Sequence, residues 1–171
     1  MTVSGKILVI RFSSIGDIVL TTSFITTLRK TFPNFEIHYL TLDKFSSILE
    51  FHPEIDRVIE LNSNSNLKDL LEFNKFIKSS NYNRIFDLHG SIRSRIITKG
   101  NGQSISRVKK PRFLRFILFQ FHINMFPSNF SAMHMYHNCL EENESIEFPK
   151  TFLSVSDLEQ KNAISFLKKN N

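Results

Sequence analysis

Apolar positions along the first ninety residues alternate between two periods. "KILVIRF" (6–12) is a nearly unbroken apolar run, the pattern of a strand covered on both faces. Residues 17–32, "DIVLTTSFITTLRKTF", set Ile18, Phe24, Ile25 and Leu28 near helical spacing. Arg29 and Lys30 fall in its last turns, where the helix dipole favours cations, and Pro33 stops it. "EIHYLT" (36–41) predicts a second strand, "DKFSSILEF" (43–51) a short helix, and "RVIEL" (57–61), after Pro53, a third strand. In "LKDLLEFNKFIKSS" (67–80), Leu67, Leu70, Leu71, Phe73, Phe76 and Ile77 mark an amphipathic helix. "RIFDLHG" (84–90) predicts a fourth strand that ends in polar residues. Strands and helices alternating at this spacing need right-handed crossovers. The pattern therefore predicts an α/β fold: a Rossmann-like, mostly parallel sheet with helices on both faces.

Beyond residue 90 the pattern is less regular. "IRSRIITKG" (92–100) predicts a short helix closed by Gly100, and "SISRVKK" (104–110) a strand stopped by Pro111. "RFLRFILFQFHINMF" (112–126) is strongly apolar with basic residues at its start, and its 15 residues are too few to span a bilayer. It suits a buried helix, an interfacial one, or a flap over a groove. Phe113, Phe116, Phe119 and Phe121 lie in so dense an apolar run that they read as core rather than as a platform for stacking bases. "SAMHMYHNCLEE" (131–142) predicts a further helix. After the acidic link "EENESIEFPK" (141–150), Ser156 and Glu159 have the spacing of a capping box that opens a last amphipathic helix. The expected organisation is one domain over 1–146, then a linker and opening helix over 147–171.

Composition narrows the class. A chain of 171 residues suits one compact domain. Its single cysteine, Cys139, excludes an intrachain disulfide framework and a cysteine-rich metal site, and fits a reducing compartment. No apolar run reaches bilayer length, and the N-terminus reads as a strand rather than a signal peptide. The net charge of +6 is uneven. Residues 1–87 balance ten bases against ten acids, whereas residues 88–140 carry eight bases and no acid. Such an excess attracts phosphate on nucleic acid, anionic lipid or a small substrate, and charge alone does not choose among them. No nucleic-acid reading motif accompanies it, so nucleic acid is not an expected partner.

Candidate chemistry gathers at predicted strand ends. The turn "SSIGD" (13–17) is neither G-x-G-x-x-G nor a phosphate-binding P-loop, so no nicotinamide or nucleotide-triphosphatase cofactor is expected. It offers instead the hydroxyls of Ser13 and Ser14, a close backbone approach at Gly16, and helix N-terminal amides, a set suited to an anion or a sugar hydroxyl. Asp17 either caps the helix or, with an acceptor hydroxyl in reach, serves as a general base. In "DLHGSIRSR" (87–95), Asp87 orients His89 or binds a substrate hydroxyl, Gly90 opens the turn, and Arg93 and Arg95 supply forks for phosphate or carboxylate. In a parallel sheet the two groups should meet beyond the carboxyl ends of the strands. His134 and His137 can share a helix face, but no H-E-x-x-H or carboxylate partner accompanies them, so no metal site is expected. Ser13 and Ser14 lack the nucleophile-elbow pattern.

Three of these segments, "KILVIRFSSIGDIVLTTSFITTLRKTFPNFEIHYLT", "YNRIFDLHGSIRSR" and "HMYHNCLE", resemble the N-terminal half of the family 9 glycosyltransferases, the ADP-heptose:lipopolysaccharide heptosyltransferases. The resemblance implies the acceptor-binding half of a GT-B architecture and metal-independent, inverting transfer of a sugar from a nucleotide-sugar donor. The implied acceptor is the anionic lipopolysaccharide inner core. It also implies a cytoplasmic protein, peripheral at the cytoplasmic face of the inner membrane. On this resemblance Asp17 is the base, Arg11 matches a basic residue that is lysine in many members, and Ser13, Ser14 and Gly16 match the loop that shapes the cleft. Arg93 and Arg95 fall where members contact acceptor phosphates or sugars. His134 matches a family histidine, whereas Asn138 stands where members carry arginine. Members run to about twice this length, so the donor site is expected in a C-terminal domain absent from this sequence, and the chain alone is expected to be inactive. The alternative is a non-catalytic α/β module that binds phosphorylated glycan or lipid headgroups.

Overall fold

The computed structural model describes residues 4–101, 104–128, 130–140 and 148–170. Five strands, β1 (Gly5–Ile10), β2 (Phe35–Leu42), β3 (Arg57–Leu61), β4 (Arg84–Asp87) and β5 (Ser104–Arg107), pair in parallel in the order β3-β2-β1-β4-β5. Chain order reverses between β1 and β4, which places a crevice beyond their carboxyl ends.

Successive side chains of β1 point to opposite faces, and each face has its own layer. Ile7 and Val9 pack with Ile18, Phe24, Ile25 and Leu28 of α1 (Ile15–Thr31) and with Tyr136 of α5 (Ala132–His137). Leu8 and Ile10 pack with Leu70 and Ile77 of α2 (Leu67–Ser79) and Ile97 of α3 (Ile92–Ile97). All four β1 side chains are fully buried, which is why the run lacks polar alternation. Each contributes roughly 1.5–3 kcal/mol by leaving water.

Local signals explain the helix boundaries. Asn66 caps α2 by accepting from the Lys68 and Asp69 amides at 2.8 and 3.2 Å, and Asp69 returns a bond to the Asn66 amide. Buried Asn74 then ties α2 to the end of α3, donating to the Ile97 and Lys99 carbonyls at 2.8 and 3.0 Å. The short helix expected at 43–51 is a 3-10 helix over Asp43–Ile48. The fourth strand stops at Asp87 rather than at residue 90, because the Asp87 side chain draws the following amides into a turn.

One expectation for the later chain is corrected. The phenylalanines of α4 (Arg112–Phe121) are not core: Phe113 and Phe119 are 70% and 77% exposed. Both sheet faces are already covered by α1 with α5 and by α2 with α3, so no interior remains for them. The last helix, α6 (Asp157–Asn170), begins with the expected box, in which Ser156 and Glu159 exchange bonds, and its described side chains are exposed.

Residues 148–154 cross over α1. Phe148 stacks on His137 at 4.1 Å, the Pro149 carbonyl accepts from Ser23 Oγ at 2.5 Å, and the Phe152 amide donates to Thr22 Oγ1 at 2.8 Å. This crossing satisfies two hydroxyls that a purely apolar helix face would lack. The helix expected over 131–142 ends at His137, with Asn138 at its C-cap; the acidic residues over 141–147 and the expected boundary at 146 lie outside the described residues.

Candidate functional site

The crevice at the β1–β4 switch point is organised around Arg11 and Asp17. Arg11 leaves the end of β1 almost wholly buried, 5% exposed. Its Nη1 donates to the Leu88 carbonyl beyond β4 at 2.7 Å, and its Nη2 pairs with Asp17 Oδ2. One guanidinium thus ties together the two loops that edge the crevice. Asp17, in the first turn of α1, also accepts from Tyr136 Oη at 2.8 Å and from Ser14 Oγ at 3.1 Å. The Arg11 guanidinium lies 5.5 Å above the Tyr136 ring.

Burial would raise the pKa of Asp17. The Tyr136 hydroxyl, the Arg11 charge and the Ser14 donors outweigh it and hold the carboxyl below its ordinary value. The side chain is nonetheless 33% exposed, so a hydroxyl from outside can reach it. The capping and base readings of Asp17 are compatible in this geometry: its carboxylate faces back to the Ser14 amide while remaining open to the crevice. Ser14 and Gly16 are exposed beside it, and a methyl added at Gly16 would meet nothing within 4 Å. Ser13, half-buried, supplies its backbone to a hydrogen bond with His89.

Beyond β4 the roles divide. Asp87 is fully buried and accepts from the His89 and Gly90 amides at 3.2 and 2.7 Å and from Ser94 Oγ at 2.8 Å. It therefore holds the backbone of the turn, and a substrate hydroxyl has no access to it. Gly90 sits at φ +61°, and a Cβ there would press on Val108 at 3.3 Å. The His89 ring packs against Phe12 at a tilt of 54°, with centroids 4.9 Å apart. Burial, and then the charges of Arg11 and Lys110, push its pKa down to about 4, so it stands neutral in the crevice wall.

Arg93 does not join this group. It lies on the side of the sheet covered by α2 and α3 and donates to the Ser63 and Ser65 carbonyls at 3.2 and 3.3 Å. Arg95 does face a basic opening of about 420 Å3, shared with Gly90, Arg107, Lys109 and Lys110. A neighbouring cavity of about 440 Å3 also contains Arg107 and Lys109, together with His134, Asn138 and Cys139. His134 and Asn138, four residues apart, thus share one cavity with Arg107.

Sequence reasoning missed Tyr136, Arg107 and Lys109. A buried tyrosine hydroxyl needs a partner, but nothing local points across 119 residues to Asp17. The acid-free stretch did signal Arg107 and Lys109, though not which cavity they enter. Among the described residues no group of three or more His, Cys, Asp or Glu is placed to hold a metal ion. Burial pushes the Cys139 thiol up to about 12, which leaves it inert.

No protein-family model matches the chain. Over 99 residues it is 34% identical to lipopolysaccharide heptosyltransferase 1 of Campylobacter coli, a match covering 55% of this chain and 28% of that protein. The glycosyl transferase family 9 structure from Veillonella parvula DSM 2008 superposes with a TM-score of 0.76 at 20% identity, covering 98% of this chain and 50% of that one. The E. coli heptosyltransferase WaaC with ADP-2-deoxy-2-fluoro heptose gives 0.58 at 14% identity, covering 83% of this chain and 50% of its own. E. coli ADP-heptose lps heptosyltransferase II gives 0.56 at 17%, covering 95% and 50%. The chain spans about half the length of these structures. The fold is a parallel α/β sheet with helices flanking both faces, matching a Rossmann, GT-B-like N-terminal domain.

Proposed function

We propose that this chain is the acceptor-binding half of a sugar transferase acting in lipopolysaccharide assembly. It takes a hydroxyl of an anionic inner-core acceptor in the β1–β4 crevice. The observation that carries this reading is Asp17: a carboxylate oriented by Arg11 and Tyr136, kept ionised, and still open to the crevice. The similarity to the Campylobacter coli heptosyltransferase supports the substrate class.

In this reading the acceptor hydroxyl oxygen attacks the anomeric carbon of a nucleotide-linked heptose. The bond from that carbon to the diphosphate breaks with inversion, the nucleoside diphosphate departs with the electron pair, and the hydroxyl proton passes to Asp17. A carboxylate with a lowered pKa is a weak base. It takes the proton only once attack has begun to acidify the hydroxyl, and this suits a step in which the leaving group is already departing. Arg95, Arg107 and Lys109 hold acceptor phosphate, and neutral, half-buried His89, backed by buried Phe12, forms an uncharged wall that a sugar face can cover. The donor is bound by the second domain of the architecture, whose closure excludes water from the reacting centre. No metal or cofactor is part of the proposed step.

The test is transfer of labelled heptose from ADP-heptose to an inner-core acceptor, with the donor-binding half supplied as a separate or fused domain. Turnover that falls by about a hundredfold or more in Asp17→Asn, with acceptor affinity kept, supports the reading. Acceptor binding without turnover in any complementation would identify the chain as a headgroup-binding module instead.

A further inference from the structure

Arg107, the last residue of β5, pairs with Asp87 in the parallel register of β4 and β5, so the two side chains stand on one face of the sheet. Asp87 is fully buried, and its Oδ2 lies 3.5 Å from Arg107 Nε. Arg107 Nη2 donates to Thr98 Oγ1 at 2.9 Å. That hydroxyl is itself fixed: Thr98 stands at the C-cap of α3, is fully buried, and donates to the Ser94 carbonyl at 2.8 Å. Ser94 Oγ in turn donates to Asp87 Oδ2 at 2.8 Å, which closes a ring of contacts around the guanidinium. Arg107 Nε makes no hydrogen bond, so Asp87 acts on it as a counter-charge and Thr98 supplies the directional hold. The arginine side chain is still about a third exposed, and the residue lines both basic cavities.

We propose that Thr98 is a positioning residue for acceptor binding: its buried hydroxyl, backed by Asp87, fixes the Arg107 guanidinium with Nη1 presented to an acceptor phosphate. The inference rests on the proposed function, in which Arg107 holds that phosphate. Thr98 itself touches no ligand and acts through the arginine. An unrestrained arginine loses rotamer freedom when it grips an anion, whereas one already held at Nη2 and Nε has little left to lose. The planar fork also fixes where Nη1 points once Nη2 is bonded, so a single hydroxyl sets the direction from which phosphate is met. Valine in place of Thr98 keeps the volume and removes only this hold. The Ser94 carbonyl keeps the residue 98 backbone amide as a donor, at 3.1 Å.

The test titrates the whole 15N-labelled chain and its Thr98→Val, Thr98→Ser and Arg107→Gln variants with a deacylated, phosphorylated inner-core oligosaccharide. Two quantities are read: the dissociation constant, and the order of the Arg107 side-chain Nε–H group from its heteronuclear relaxation. In the unliganded wild type that group should be as ordered as the backbone. Thr98→Val should keep the wild-type circular dichroism, loosen Arg107 Nε–H and weaken binding roughly tenfold, about the worth of one hydrogen bond to a charged group. Thr98→Ser should restore both. A freely reorienting Arg107 in the unliganded wild type overturns the proposal without recourse to any variant. Wild-type affinity in Thr98→Val, beside weak binding by Arg107→Gln, also overturns it and leaves the proposed function intact. Weak binding by Thr98→Val with Arg107 as ordered as in the wild type makes the loss a structural one and overturns it too. Wild-type affinity in Arg107→Gln would instead remove Arg107 from the acceptor site and contradict the phosphate assignment itself.

Discussion

Asp17 is held by donors from three places in the chain: Arg11 after β1, Ser14 at the cap of α1, and Tyr136 on α5. Removing its charge has two consequences that must be separated. Asp17→Asn leaves a nearly buried guanidinium without its counter-charge, so the variant should lose about 1.5–3 kcal/mol of stability by urea titration as well as transfer activity. Tyr136→Phe removes one donor and keeps the shape. The Asp17 pKa should then rise, and the acid limb of the transfer pH profile should move to higher pH, because the base must be ionised. An unmoved limb would mean that Asp17 is not the titrating base. The histidines act in a different window. His89 and His137, buried neutral with pKa values near 4 against an ordinary 6.5, are protonated more readily in the unfolded chain. Their contribution to stability is complete above pH 6.5 and is lost as pH falls towards 4. The urea midpoint should therefore be lower at about pH 5 than at neutrality, and a flat profile would contradict their burial. Asp17, with a depressed pKa, loses its contribution only at still lower pH.

At the scale of elements, the turns after β1 and β4 build the site, and their glycines do different work. Gly16 faces open space at the start of α1, so Gly16→Ala should fold at least as stably, by about 0.4–1 kcal/mol, from reduced freedom in the unfolded chain. Gly16→Leu should also fold but fill the approach to Asp17 and abolish acceptor binding, as a paired denaturation and binding measurement would show. Gly90, at positive φ against Val108, should not tolerate alanine: Gly90→Ala costs about 1–2 kcal/mol in backbone strain alone. These elements were legible because each is signalled locally: an unbroken apolar run for β1, helical spacing of apolar residues for α1 and α2, and a glycine after a strand-end aspartate. Arg93 and Asp87 were legible as strand-end residues but not in their roles. Sequence cannot show that Arg93 reaches the loop between β3 and α2, or that Asp87 is spent on its own turn. Helix α4 was misread for a related reason. Its density of phenylalanine suggests a core, and only the completed sheet shows that both faces are already filled.

On the scale of the whole molecule, the strand order places the turns after β1 and β4 side by side, although more than seventy residues separate Arg11 from Leu88 in the chain. Alternating periods in the sequence are enough to predict that meeting, because parallel crossovers of one hand leave few arrangements. The pairing of Asp17 with Tyr136, and the convergence of Arg107 and Lys109 on the His134 cavity, come from later segments whose docking has no periodic signature. The account stands or falls on whether this crevice accepts an anionic sugar. Titrating the 15N-labelled chain with a deacylated, phosphorylated inner-core oligosaccharide tests it most directly. The predicted result is a saturable set of amide shifts confined to residues 13–17, 89–95 and 107–110. Saturable shifts at the β3 edge instead, with residues 13–17 unmoved, would contradict it.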